Sequence, residues 1–87
     1  MEYSEVTANE IPIRLLLEAD PSEQNIKSYL DNSWCFAAKQ NGQIVGACIA
    51  KATSKNTAEI FNIPIYPEAQ RQGIGSSILR FSLSKLD

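Results

Sequence analysis

The sequence predicts an α+β fold, a mainly antiparallel sheet flanked by helices. Three observations predict it. The pair Asn41-Gly42, a strong two-residue hairpin signal, separates two stretches rich in strand-forming residues. Two short, proline-marked helical segments precede that hairpin, and a segment with helical apolar spacing closes the chain. The order is therefore strand, helix, helix, three strands, helix, with no internal repeat, linker or low-complexity stretch.

Tyr3 to Val6 reads as a short first strand. Asn9 is a good helix N-cap ahead of Ile11-Pro12-Ile13, and proline is tolerated in the first turn. Ile13, Leu16 and Leu17 then form one apolar stripe, and the helix stops near Asp20-Pro21 because the residue before proline avoids the helical region. A second helix starts there, with Asp20 as N-cap, Pro21 in first position and Glu23 completing a capping box. Ile26, Tyr29 and Leu30 share its buried face, and it fades at Asp31-Asn32-Ser33.

The hairpin comprises Trp34 to Gln40 and Gln43 to Thr53. A two-residue turn sets Phe36 opposite Ala47, Trp34 opposite Ile49 and Cys35 opposite Cys48. One face then carries Trp34, Phe36, Val45 and Ile49, the other Cys35, Ala37, Gly46, Cys48 and Ala50. Both faces are apolar, so both are expected to be covered, with Tyr29 and Trp34 in the core. Ser54-Lys55-Asn56 is a polar turn, and Thr57 to Ile65 is the next strand. Tyr66-Pro67-Glu68-Ala69 breaks it, and from Gly73 a helix runs on with Leu79, Leu83 and Leu86 on one face beside Ile74, Ile78 and Phe81.

A length of 87 residues argues for one domain or less. The formal net charge is −2 and the basic residues are scattered, so nothing points to nucleic acid or a membrane surface. The acidic start carries no apolar signal segment, and the expected compartment is the cytoplasm. With no histidine and only two cysteines, these residues exclude Ser-His-Asp and Cys-His catalysis and make a metal centre improbable. Cys35 and Cys48, opposed in the expected register, are read as two small buried residues in a reducing cell rather than as a disulfide.

The chemistry is concentrated between Thr57 and Leu79. A strand ends, a short loop presents Gly73 and Gly75, and a helix begins. A helix N-terminus has unpaired N–H groups and partial positive charge, and glycines let an anion approach its backbone. That context makes a phosphate cradle. It is not the dinucleotide fingerprint, since Ile78 stands where the third glycine belongs. Nor is it an NTPase phosphate loop, since no lysine is present.

This stretch resembles the GNAT superfamily of N-acetyltransferases. Gln70, Gly73 and Gly75 match its signature Q/R-x-x-G-x-G/A, and Ala58 to Ile63 with Pro67-Glu68 look like bacterial ribosomal-protein alanine acetyltransferases. Leu15 to Pro21 resembles a little-characterised bacterial subgroup, so the likeness spans essentially the whole chain. It implies that residues 1–87 are the N-terminal and central part of one GNAT domain, with the pyrophosphate motif at 70–75. It further implies a piece of a longer polypeptide, since the family's later strand, helix, terminal hairpin and general-acid tyrosine lie beyond these residues.

The implied activity is acetyl transfer from acetyl-CoA to a primary amine, small-molecule or peptide, with coenzyme A as product. Loop and first-turn amides from Arg71 through Gln72, Gly73, Ile74 and Gly75 to Ser76 are expected to hold the pyrophosphate, and Gln70, which opens the cradle, is expected among the cofactor-binding residues. Ile63 and Ile65, on a strand that bulges in the family, are expected to pair with the pantetheine arm, and an amide near Ile65 to polarise the thioester carbonyl. Pro64 between them removes one ladder donor. Arg71 and Ser76 are also candidates for side-chain contact with phosphate. Glu59, at the general-base offset of histone-acetyltransferase members, is the candidate base, weighed against an ordinary strand carboxylate. A degenerate member that holds acyl-CoA or a partner chain without turnover is the alternative, and a small structural domain in which Gly73-Ile74-Gly75 is merely a turn is the third. The open edge of the Thr57–Ile65 strand invites pairing with a second copy.

Overall fold

The computed structural model describes residues 1–54 and 57–86 of the chain. Lys55 and Asn56, in the expected polar turn, lie outside the described residues. The elements are β1 (Glu2–Val6), a 3₁₀ turn (Ala8–Glu10), α1 (Ile13–Leu16), α2 (Glu23–Leu30), β2 (Ser33–Gln40), β3 (Gln43–Ser54), β4 (Thr57–Asn62), a second 3₁₀ turn (Pro67–Ala69) and α3 (Ile74–Leu86). The strands form one antiparallel sheet in chain order, so β4 lies at an edge.

The hairpin forms where expected. Asn41 and Gly42 both adopt positive φ, 54° and 80°, the signature of a type I′ turn. Its register holds only for the first two pairs, Gln40 with Gln43 and Lys39 with Ile44. Ala38 then faces Gly46, so Val45 is an extra residue, and every later pair moves by one. Phe36 consequently lies opposite Cys48, Cys35 opposite Ile49 and Trp34 opposite Ala50.

This bulge rearranges the expected faces. Cys35, Ala47 and Ile49 pack in one cluster with Ile11, Leu15, Leu16, Ile26 and Tyr29. Phe36, Ala38 and Cys48 pack in the other with Ile74 and Ile78. Both faces are covered as expected, but Cys35 and Cys48 belong to opposite faces and are free thiols. Burial pushes the Cys35 thiol up to about 11, with smaller contributions from Cys48 and Glu5, and burial also raises Cys48 despite its Ser82 hydrogen bond. Trp34 is not core: it stands 40% exposed near the end of the hairpin.

The N-terminal helices are shorter than expected. Thr7 rather than Asn9 starts the first turn, its N–H donating to Glu10 Oε2 at 2.6 Å and its hydroxyl to the same oxygen at 2.9 Å. These two bonds hold the Glu10 carboxyl below the usual range. Pro12 occupies the N-cap of α1, and Leu15 and Leu16 are buried while Ile13 is exposed. Ser22, not Asp20, caps α2, accepting from Asn25 N–H at 3.2 Å. Asp20 instead accepts from Ser22 N–H at 3.0 Å, an Asx turn that leads the chain into the helix. The expected α2 face is borne out, with Ile26 and Tyr29 buried. On α3 the packed stripe is Ile74, Ile78 and Ser82, whereas Leu83 is 51% exposed.

Candidate functional site

The expected strand Thr57–Ile65 keeps a continuous ladder only to Asn62. Ile49 pairs with Asn62 and Ala50 with Ile60, which leaves Phe61 as an extra residue bulged from β4. After Asn62 the chain parts from the ladder and rejoins it at Ile65, bridged to Gly46. Ala47 N–H donates to the Pro64 carbonyl at 2.9 Å, and Tyr66 N–H donates to the Val45 carbonyl at 3.1 Å.

These two bonds orient the edge. In an extended chain the N–H and C=O of one residue point to the same side, and successive residues alternate. Pro64 and Tyr66 turn towards β3, so Ile63 and Ile65 turn their backbone groups outward. The missing proline donor therefore falls on the β3 side, and the outer edge loses nothing to it. Among the described residues, Ile63 and the Ile65 N–H have no backbone partner. The Ile65 carbonyl is taken: Gln70 Nε2 donates to it at 3.0 Å.

The loop that follows is tightly wound. Ala69 N–H donates to Tyr66 O at 2.9 Å and Gln70 N–H to Pro67 O at 3.2 Å. Arg71 and Gly73 then adopt left-handed backbone, φ 65° and 76°. The first helical bond is Ser77 N–H to Gly73 O at 3.1 Å. Between Gln70 and Ser77, the N–H groups of Arg71, Gln72, Gly73, Ile74, Gly75 and Ser76 donate to no backbone or side-chain acceptor among the described residues. Arg71, Gln72, Gly73 and Ser76 are exposed, and a Cβ added at Gly73 would meet open space. A run of unpaired amides at the mouth of a 13-residue helix is an anion-binding concavity by construction.

Two glycines bring the cradle against the edge. A Cβ on Gly75 would lie 3.3 Å from Ile65 Cδ1, and one on Gly46 would lie 3.3 Å from Ile65 Cγ1 and 3.4 Å from Ile74 Cγ2. Ile65 is thus held between β3 and the first turn of α3. The small-residue pattern of the hairpin hinted at Gly46, and the contacts with Ile65 and Ile74 show what a larger residue there would meet.

Glu59 is exposed on β4, facing Lys51 across the ladder. Gln70 and Gly75 come together with Ile65, whereas Glu59 stands upstream on β4. A further polar feature escaped the sequence. Asn62 Nδ2 donates to the Tyr29 hydroxyl at 2.9 Å, while Asn62 Oδ1 is buried without a partner among the described residues. Burial raises the Tyr29 phenol, partly offset by that bond. The clue was an asparagine set between Phe61 and Ile63.

On the α1 side, Glu10, Pro12, Arg14, Val45, Tyr66 and Glu68 line a cavity of about 570 Å³. The Arg14 guanidinium lies 5.5 Å above the Tyr66 ring. Among the described residues no helix is long and apolar enough to cross a membrane.

Comparison with known proteins places this geometry in context. The model of the acetyltransferase (GNAT) family matches residues 5–86. The uncharacterized N-acetyltransferase YvbK of Bacillus subtilis strain 168 is 31% identical over 85 residues, which are 98% of this chain and 54% of that protein. An IAA acetyltransferase from Bacillus cereus ATCC 14579 superposes with a TM-score of 0.90 at 34% identity, over 98% of this chain and 57% of its own. A GNAT family acetyltransferase from Elizabethkingia anophelis with acetyl-CoA bound gives 0.87 at 36% identity, over 97% and 56%. The chain thus spans about half the length of these relatives.

Proposed function

The chain belongs to the acetyltransferase (GNAT) family, and from that premise we propose that its residues hold acetyl-CoA for transfer of the acetyl group to a primary amine. The observation that carries this reading is the run of unpaired amides from Arg71 to Ser76 at the start of α3. Backbone donors there meet the pyrophosphate, aided by the helix dipole, without needing a basic patch. In this reading the exposed Arg71 and Ser76 add a guanidinium and a hydroxyl.

The Ile63 backbone groups and the Ile65 N–H, which face the open edge, receive the pantetheine amides as an added strand would. In this reading an outward N–H of this edge, at or near Ile65, polarises the thioester carbonyl. Bound acetyl-CoA would supply the acetyl group to the amine, with coenzyme A as the leaving group. The protein's task is positioning and proton management. Glu59, the carboxylate on the same strand, takes the ammonium proton through water in this reading. Glu10 and Glu68 beside the Tyr66 cavity supply negative charge for a cationic acceptor. The two free thiols suit a reducing compartment such as the cytoplasm. The same β4 edge is the surface on which a second copy would pair.

Calorimetric titration of the chain with acetyl-CoA tests the cradle. Binding is expected in the wild type and is expected to be lost in Gly75→Glu, which sets bulk and negative charge against the phosphates. Unchanged affinity in that variant would remove the site. Thiol release from acetyl-CoA with primary amines then separates turnover from mere retention, and Glu59→Gln is expected to lower the rate by about 10²-fold or more if the carboxylate is the base.

A further inference from the structure

We infer that Gln70 is a positioning residue that clasps the strand edge to the phosphate loop, and that it acts through Ile65 rather than by touching the cofactor. The inference rests on the acetyl-CoA reading above and deepens it. Its carrier is one bond, Gln70 Nε2 to the Ile65 carbonyl at 3.0 Å. The Gln70 side-chain donor is turned back to the strand, away from the amides of Arg71 to Ser76, while the Gln70 backbone N–H is already used on Pro67.

Three consequences follow from that geometry. The bond closes a ring over Ile65 to Gln70, within which Ala69 N–H to Tyr66 O and Gln70 N–H to Pro67 O are the only backbone bonds. The ring sets the separation between the Ile65 N–H and the first free amide, that of Arg71. It also fixes Ile65 from a third direction, since Gly46 and Gly75 already hold its side chain. Finally, it occupies the one outward carbonyl at the end of the edge. An extended ligand can therefore accept from Ile65 N–H, whereas any donor it offers to the Ile65 carbonyl must share that oxygen with Gln70. Gln70 thus works as a ruler between two subsites, one for the pantetheine amides and one for the diphosphate.

A ruler and a phosphate ligand give different signatures. Coenzyme A bridges both subsites, whereas ADP occupies only the diphosphate one. In Gln70→Leu the loop keeps its size and loses the donor. The expected result is about a tenfold loss of coenzyme A affinity with ADP affinity within about twofold of wild type, because only the bridging ligand depends on the spacing. Gln70→Arg, which keeps a long donor, is expected to restore the ratio of the two affinities even if its charge strengthens both. Equal losses for the two ligands would make Gln70 a phosphate contact and overturn the inference.

Hydrogen exchange of the ligand-free chain provides a second arm. Gln70→Leu is expected to speed exchange at Ala69 and Gln70 and to leave the amides of α3 beyond Ser77 unchanged. Unaltered exchange at Ala69 and Gln70 would sink the clasp whatever binds. Failure of wild-type chain to bind coenzyme A, with exchange altered as expected, would instead sink the acetyl-CoA reading and leave the clasp as a feature of the fold.

Discussion

At the scale of single residues, the polar atoms decide more than their number suggests. Asn62 is the clearest case, with Nδ2 bonded to the Tyr29 hydroxyl and Oδ1 buried without a partner. The net worth of one such bond is modest, but orphaning a buried amide costs about 1–3 kcal/mol. Tyr29→Phe keeps the ring contact with Phe61, whose centroid lies 4.2 Å away, and removes only the oxygen. It is therefore expected to lower stability by about 1–3 kcal/mol. Adding Asn62→Leu removes the stranded amide as well, and the double variant is expected to recover most of the loss. Denaturant unfolding of the three variants measures this directly. A Tyr29→Phe protein as stable as wild type, or a double variant weaker than either single one, would mean the pair is not a coupled unit. The thiols give the opposite lesson: burial leaves Cys35 and Cys48 protonated on separate faces, where they act as small apolar residues.

At the scale of elements, what the sequence revealed and what it hid divide along physical lines. Asn41-Gly42 identified the hairpin because a type I′ turn demands left-handed residues, and few others tolerate it. The pairing beyond Ile44 was hidden because a bulge has no composition of its own: Val45 is as good a strand residue as its neighbours. One extra residue exchanged the faces, and with them the surroundings of Ile49 and Cys48. Helix ends failed similarly. Asp20, Ser22, Thr7 and Asn9 are all competent caps, and tertiary packing chose among them. On α3, apolar spacing favoured Leu79 and Leu83, whereas the approach of Ile74 and Ile78 to Phe36 and Cys48 set the face actually buried. The glycine loop was legible because its function and its sequence coincide: left-handed backbone favours glycine at Gly73, and the close approach of Ile65 favours a very small residue at Gly75.

Gly46 belongs to the same scale, because it joins three elements. Its substitution by alanine would press a methyl to 3.3 Å from Ile65 Cγ1 and 3.4 Å from Ile74 Cγ2, with the Pro64 carbonyl at 3.5 Å. Both side chains must yield by a few tenths of an ångström in a packed site. Overpacking of this kind costs about 1–3 kcal/mol. Gly46→Ala is thus expected to lower the thermal midpoint and, by moving Ile65, to weaken coenzyme A more than ADP. A thermal midpoint equal to wild type would show that β3, β4 and α3 adjust there freely.

At the scale of the whole molecule, the decisive feature is an edge with two competing uses. In the strand order β1 to β4, the outer side of β4 and its continuation through Ile63 and Ile65 carry unpaired backbone groups among the described residues. Such an edge can take a ligand as an added strand or a second copy of the chain, but not both at the same residues. If association uses this edge, linkage requires that coenzyme A and self-association oppose each other by the same factor. Sedimentation of the chain over a range of concentrations, with and without saturating coenzyme A, reads this coupling. The associated fraction is expected to fall when coenzyme A is present and to respond less to ADP, which leaves Ile63 and Ile65 uncovered. Association that coenzyme A leaves untouched would place the contact elsewhere, and the exposed side of α3 around Leu83 would then be the surface to mutate first.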